Sequence, residues 1–124
     1  MRFWSKNKKG VCLLPTCRDS EIPEDLEHIL VHCGSLEDAR VGLADFSTKY
    51  SENFEQITEI VRELCNPSHP QFTQFLLDCS CLPSVLTAAQ LHGDLVLHHL
   101  FRITRTWCYS LHRARLKLLG RWHN

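Results

Sequence analysis

Long apolar runs are missing from this chain of 124 residues. A membrane-crossing helix needs about 20 consecutive, mostly apolar residues, and no such stretch occurs in the sequence. The opening ten residues, MRFWSKNKKG, also lack the apolar core of a secretory signal. We therefore expect neither a membrane span nor secretion, and we expect the protein in the nucleus or cytoplasm.

An even set of cysteines, as secreted disulfide frameworks carry, is also lacking. The chain has seven cysteines and eight histidines. An odd number of cysteines in a chain without a secretory signal favours reduced thiols and a metal ion. Zinc is the expected cofactor because it accepts both thiolate and imidazole ligands.

Carboxylates are absent after Asp94, although the chain as a whole has 14 acidic and 14 basic residues. The first acidic residue is Asp19, so the acidic block has a basic flank on either side. A basic terminal segment can bind phosphates, or it can pack on its own acidic neighbours, and composition leaves both open. The basic residues of the N-terminal flank are Arg2, Lys6, Lys8 and Lys9.

Apolar residues recur at helical spacing along most of the chain, whereas alternation with a period of two is rare. The predicted fold is therefore mostly α, a small zinc-stapled helical domain with a long C-terminal helix. We expect that helix to run from about Asp94 to Leu119 and to end at Gly120. Residues 1–40 would form the zinc-binding module, and residues 41–124 a helical region continuous with it in one domain. Earlier helices are expected near residues 23–33, 35–50, 51–65, 71–77 and 83–91.

Two serines mark helix starts in this pattern. Ser35, with Asp38 three residues later, is the predicted N-cap of the second helix, and Ser51 is that of the third. A short β-ribbon is expected near Val11–Cys17. The buried stripe predicted for the second helix consists of Leu36, Ala39, Leu43, Phe46 and Tyr50.

Cysteine and histidine cluster in the N-terminal third at spacings that suit a metal. Four residues separate Cys12 from Cys17, ten separate Cys17 from His28, and four separate His28 from Cys33. Structural zinc is held by such pairs of cysteine and histidine ligands. Residues five apart on an ideal helix point about 140° apart. His28 and Cys33 can therefore converge only if the helix ends near His32.

His32 is the alternative fourth ligand. His28 and His32 lie on one helical face, as in a two-cysteine, two-histidine zinc finger. That finger type has about twelve residues between its pairs, whereas this chain has ten. Gly34 is well placed to end the helix beside Cys33, and this favours the cysteine. The predicted metal ligands are Cys12, Cys17, His28 and Cys33, and the alternative without a metal is a set of ordinary buried cysteines with a polar surface histidine.

The predicted last helix interleaves cations with aromatic residues. Cations attract phosphates and aromatic faces stack on exposed bases, so we expect nucleic acid, either RNA or DNA, as the partner. In the alternative, the cations face water or pair with acidic helices while the apolar residues form a buried stripe of Leu100, Ile103, Trp107, Leu111, Ala114 and Leu118. The residues predicted to bind nucleic acid are Arg102, Arg105, Trp107, Arg113, Arg115, Lys117 and Arg121.

Five segments resemble one family, in its order along the chain: CLLPTC, PEDLEHILVHC, LEDAR, QFLLD and TRTWCYSLHRARLKLLGRW. They are similar to the C-terminal zinc-binding region of non-LTR (LINE-type) retrotransposon reverse transcriptases, and the EHIL-x-x-C core is the most specific part. The first cysteine pair is wider here than is usual in that family. The resemblance implies a role in holding nucleic acid and zinc ligation by Cys12, Cys17, His28 and Cys33.

Adjacent aspartates, of the kind a polymerase uses to hold two metal ions, are absent. The resemblance therefore covers the tail of a reverse transcriptase without its polymerase domain. We expect a non-catalytic zinc-binding module that binds nucleic acid, with no membrane and no small-molecule substrate as partner. The alternative is a structural or protein-interaction domain whose basic last helix packs on its acidic middle.

Overall fold

Helices dominate the fold. The computed structural model describes residues 10–123, and of residues 121–123 it describes the backbone alone. A π-helix, His28–His32, precedes five α-helices, the last of them 29 residues long. The prediction of a mostly α domain with a long C-terminal helix is confirmed. The α-helices are α1 Glu37–Ser51, α2 Glu55–Leu64, α3 Phe72–Asp78, α4 Pro83–His92 and α5 Leu95–His123.

The long helix α5 is the centre of the packing, because α1, α3 and α4 all contact it. Its fully buried residues Leu100, Ile103, Trp107 and Leu111 recur at intervals of three and four residues. Such spacing places side chains on one face of a helix. The indole Nε1 of Trp107 donates a hydrogen bond to Ser47 Oγ of α1 at 2.6 Å. The ring of Trp107 therefore belongs to the core of the protein.

The segment of residues 10–36, which we call the knuckle, is closed by a short antiparallel contact. Val11 and Pro23 form an isolated β-bridge, and the Cys12 N–H donates to Ile22 O at 2.7 Å. This pairing makes a loop of residues 13–21. The predicted ribbon is thus reduced to one bridged pair, and no longer strand occurs in the described part of the chain.

Several helix ends differ from the prediction. Ser35 does not cap α1, because its hydroxyl accepts the Thr16 N–H at 3.0 Å instead. Ser51 ends α1 rather than starting α2, and its hydroxyl donates to Thr48 O at 2.9 Å. Helix α5 continues beyond Gly120, which does not adopt the left-handed conformation of a glycine cap.

The buried face of α1 is rotated from the predicted stripe. Leu43 is buried as expected, but Phe46 and Tyr50 are only half-buried. Polar side chains take their place, and each makes a hydrogen bond, which offsets the cost of burying it. The buried residues of this helix are Arg40, Leu43, Ser47 and Ser51.

One cluster of buried apolar residues joins the knuckle to the helices. Within residues 10–123, no helix by itself is long and apolar enough to cross a membrane. Two segments, Phe72–Cys81 and Pro83–His92, satisfy that criterion only when they are taken together across a bend of 41°.

Candidate metal centre

Four donor side chains meet inside the knuckle. The ligand atoms of Cys12, Cys17, His28 and Cys33 all lie within 4.8 Å of one another. Cys33 Sγ is 3.9 Å from both Cys12 Sγ and Cys17 Sγ, and Cys17 Sγ is 3.5 Å from His28 Nε2. A disulfide needs about 2.0 Å between its sulfurs, so these thiols are free. The four side chains are placed to hold a metal ion.

Cys12 and Cys17 come together through a turn in the loop. The Cys17 N–H donates to Leu14 O at 2.9 Å, which folds the chain back between the two cysteines. Leu14 is fully buried and fixes the middle of the loop to the core. The four residues between Cys12 and Cys17 are therefore enough for one turn and for one buried apolar side chain, that of Leu14.

His28 and Cys33 converge because the helix between them closes as a π-turn. The Cys33 N–H donates to His28 O at 2.7 Å, five residues back. The Cys33 backbone is then extended, with φ −65° and ψ 116°, so the helix ends at His32 as ligand convergence requires. At the other end, Asp25 Oδ1 accepts the His28 N–H at 2.8 Å.

The two ligand-bearing turns pack against each other through residues beside the ligands. Thr16 Oγ1 lies 2.8 Å from Ser35 Oγ. A Cβ atom at Gly34 would come within 3.3 Å of Thr16 Oγ1, so the glycine permits a close approach. Gly34 therefore acts through the contact between the turns and not, as predicted, by ending the helix.

Burial favours the uncharged forms of three of the donors. Cys12 and Cys33 are fully buried, and Cys17 and His28 nearly so. Desolvation raises the pKa of the Cys12 thiol to about 12, raises the pKa of Cys33 and lowers the pKa of His28. A bound cation must displace the thiol protons, so we expect metal affinity to fall as the pH falls.

Arg40 is a buried cation beside the ligands, a role that was not predicted from the sequence. Its side chain is 5% exposed and donates to Ile29 O at 3.2 Å and to Cys33 O. A divalent ion bound by thiolates of all three cysteines and a neutral imidazole has a net negative charge, which the guanidinium offsets. The available clue was its helical spacing, four residues after Leu36 and three before Leu43, both of which are apolar.

His32 is exposed and lies outside the cluster. The alternative set of two cysteines and two histidines is therefore not assembled. Among residues 10–123, no second group of three or more cysteine, histidine or acidic side chains lies close enough together to hold a metal.

The basic and aromatic residues predicted to bind nucleic acid divide into exposed and buried sets. Trp107 and Arg115 are 0% and 3% exposed, so the prediction that they contact nucleic acid is corrected. The exposed set, Arg102, Arg105, Arg113 and Lys117, forms no ion pair with any described carboxylate. The remaining side chains of the basic flanks lie outside the described residues: Arg2, Lys6, Lys8, Lys9 and Arg121.

Arg115 continues the buried stripe of α5 and pairs with the knuckle. Its NH2 is 2.6 Å from Glu24 Oε1, its Nε is 3.1 Å from Oε2, and the two side chains are 4% and 2% exposed. Two-point contacts of this kind are strong and directional. Removing one partner of a buried pair typically costs about 3–5 kcal/mol. Arg115 therefore links the knuckle to the last helix and is not a phosphate ligand.

The exposed cations share one face of α5. At about 100° per residue, they fall within an arc of about 120° on the side away from the buried stripe. Tyr109 lies within this arc; it is 62% exposed, and the Arg113 guanidinium carbon is 5.7 Å from its ring centre. We call this surface the basic stripe; it consists of Arg102, Arg105, Tyr109, Arg113 and Lys117.

Comparison with family models, curated proteins and solved structures found no match for this chain. The likeness to the zinc-binding region of LINE-type reverse transcriptases therefore rests on the sequence segments alone and stays a prediction. Function is accordingly inferred from the sites themselves.

Replacing Cys33 with serine should abolish stoichiometric metal binding, because a hydroxyl is a poor substitute for a thiolate donor. His32→Ala should leave metal binding nearly unchanged, and Cys81→Ser serves as the matched thiol control since Cys81 is exposed and outside the cluster. Elemental analysis of the purified proteins measures the metal content per chain. Metal retained by Cys33→Ser and lost from His32→Ala would assign the fourth ligand to His32 instead.

Replacing Arg40 with methionine should weaken metal binding by about tenfold to 100-fold, the usual effect of losing a partner of the ligands. Arg40→Lys keeps the charge and should recover part of the loss, whereas Arg62→Met on an exposed site should have no effect. Competition with a chromogenic chelator measures the affinity, and the cobalt(II) spectrum reports the ligand geometry. Equal affinity for Arg40→Met and the unmodified protein would contradict this role.

Proposed function

We propose that this protein is a non-catalytic zinc-binding module that binds nucleic acid through the basic stripe of α5. The observation that carries the proposal is the stripe itself. Four exposed cations surround an exposed tyrosine, on a helix that contains no carboxylate. Such a surface offers positive charge to a phosphate backbone and an aromatic face to a base.

Zinc is the metal that the donor set favours. A zinc–sulfur bond of about 2.3 Å places the corners of a tetrahedron about 3.8 Å apart, and the two sulfur–sulfur distances of 3.9 Å fit this size. Thiolates are soft ligands that suit zinc, whereas magnesium and calcium prefer oxygen. Four buried protein ligands leave no open position for a substrate, as in structural zinc sites. This arrangement supports a non-catalytic role.

The segments that resemble LINE-type reverse transcriptases support the same function. In that family the cysteine–histidine region belongs to the tail, which is thought to hold element RNA or target DNA. We propose that this chain has the same role, without the polymerase. The four side chains gathered in the knuckle are those onto which the family's ligands carry over.

The alternative, in which the cations of α5 pack on the acidic middle helices, has less support. Glu59 pairs within its own helix, and Glu63 lies 3.8 Å from His69. Arg115 does turn inward, but it pairs with Glu24 of the knuckle. The exposed cations of α5 thus face solvent, where a phosphate backbone can reach them.

Removing the metal with a chelator should lower the melting temperature and unfold the knuckle, because structural zinc contributes on the order of 10 kcal/mol to small modules. Helices α2 to α5 have their own apolar faces and should persist in part. Hydrogen exchange would locate the loss of protection, and far-UV dichroism would measure the helix that remains. Zinc should restore the original melt and magnesium should not; a melt indifferent to chelator would refute a structural metal.

Binding of single-stranded nucleic acid should weaken with salt, because each neutralised phosphate releases counterions. Four contacts predict a slope of about −3 in a plot of log affinity against log salt. The double variant Arg105→Ala, Arg113→Ala should bind more weakly and reduce that slope by about 1.4. Fluorescence anisotropy at several salt concentrations measures both quantities.

The matched control for this experiment is Lys49→Ala combined with Arg62→Ala, which removes two exposed cations from other helices. Its salt slope should equal that of the unmodified protein. Zinc content should be unchanged in both double variants. Absence of binding at low salt to single-stranded RNA, single-stranded DNA and duplex would defeat the proposal and leave an interaction domain.

A further inference from the structure

A small cavity lies at the start of α5, just before the basic stripe begins. Its volume is about 210 Å³, and it lies between the start of α2, the end of α4 and the start of α5. A cavity of about 150 Å³ can hold benzene, whereas drug-sized ligands use about 300 Å³ or more. The space therefore suits one planar ring. Its lining residues are Phe54, Gln56, His92, Leu95, Val96 and His99.

Two stacked rings form one wall of the cavity. The ring centres of Phe54 and His99 are 3.7 Å apart, with 23° between their planes. The Tyr50 hydroxyl lies 3.0 Å from His99 Nδ1 and fixes the imidazole. Desolvation lowers the pKa of His99, which favours the neutral ring. A neutral aromatic wall suits the stacking of a nucleobase.

Polar groups accompany this aromatic wall. Gln56 and His92 are exposed side chains among the lining residues. A nucleobase differs from a plain aromatic ring in the donors and acceptors along its edge. Amide and imidazole groups can pair with such an edge. The lining thus combines a stacking surface with groups that can bind the edge of a base.

The first cation of the basic stripe adjoins the cavity. Arg102 follows His99 by three residues, which places it one turn further along nearly the same face of α5. Its guanidinium carbon lies 5.9 Å from the centre of the Tyr50 ring, which contacts the His99 ring edge-on. A base in the cavity would therefore have its phosphate within reach of the stripe.

We propose that this cavity takes one unpaired base of a single-stranded nucleic acid whose phosphates lie along the basic stripe. The inference rests on the proposed function and narrows it from nucleic acid in general to a single strand. A paired base cannot enter without leaving its duplex. Glu55 and Asp94 adjoin the lining residues in the chain. Because carboxylates repel phosphates, the backbone of the strand would run from the mouth of the cavity toward Arg102.

Three probes of equal length test the proposal: a single strand of mixed sequence, a strand of the same backbone with abasic sites, and the duplex. The intact single strand should bind about fivefold to 100-fold more tightly than the abasic strand, because a stacked base contributes that much. It should also bind more tightly than the duplex. Anisotropy titrations at one low salt concentration give all three affinities.

The double variant Gln56→Ala, His92→Ala removes the polar groups of the cavity at exposed positions, where folding is least affected. Its affinity for the intact strand should fall about fivefold or more, while its affinity for the abasic strand stays the same. The matched control is Gln90→Ala with His32→Ala, which removes an exposed glutamine and an exposed histidine outside the lining. This control should bind both strands like the unmodified protein.

The outcomes separate this inference from the function on which it rests. Equal binding of intact and abasic strands, or tighter binding of the duplex, would overturn the base site while leaving nucleic acid as the partner. An equal loss for both strands in the double variant would also overturn it. Absence of binding to all three probes would overturn the base site and the proposed function together.

Discussion

Three thiols and an imidazole share one buried pocket, and the shape of the knuckle depends on this convergence. The segment of residues 10–36 has few large side chains in its core, among them Leu14, Ile29 and Leu30. So short a piece of chain has little apolar surface of its own to bury. The proposed metal, bonded to four donors, would add a constraint where the backbone has already made a turn at each ligand pair. The geometry of such a metal and the local hydrogen bonds would therefore favour the same shape of the knuckle.

Two buried arginines connect the knuckle to the helices. Arg40 extends from α1 to the carbonyl groups of Ile29 and Cys33, at the end of the π-helix. Arg115 extends from α5 to Glu24, just before that helix begins. Arg115 has its carboxylate partner in the knuckle, so it needs the knuckle folded to avoid an unpaired buried charge. Arg40 also pairs with Glu37 of its own helix, but its hydrogen bonds to the two carbonyl groups need the folded knuckle. The position of α5, and with it the direction of the basic stripe, is thus linked to the metal site.

The sequence predicted those features that depend on local spacing. The four donors, the end of the helix at His32 and the apolar stripe of α5 follow from the intervals between residues. The buried role of Trp107 followed only as the alternative in which it joins the apolar stripe. The roles of Arg40 and Arg115 did not follow, because burial of a charged side chain depends on a partner distant in the chain. Ser35 shows the same limit. It has the spacing of a helix cap, but its hydroxyl is hydrogen-bonded to Thr16, which is distant in the chain. The proposed base cavity forms only where α2, α4 and α5 meet, and the types of its lining residues did not predict it from the sequence.

Carboxylates pair with exposed cations on α1 and α2, whereas α5 has no carboxylate to pair with its own. Lys49 pairs with Asp45 on α1, and Arg62 pairs with Glu59 on α2, each within one helical turn. Helix α5 offers its exposed cations no such neighbour, and it sets Arg113 four residues before Lys117. Like charges at that spacing destabilise a helix by a few tenths of a kcal/mol, about 0.2–0.5. A bound polyanion would relieve this repulsion between the cations. An acidic helix of the same chain would relieve it too, but none packs against these cations in the described part of the chain.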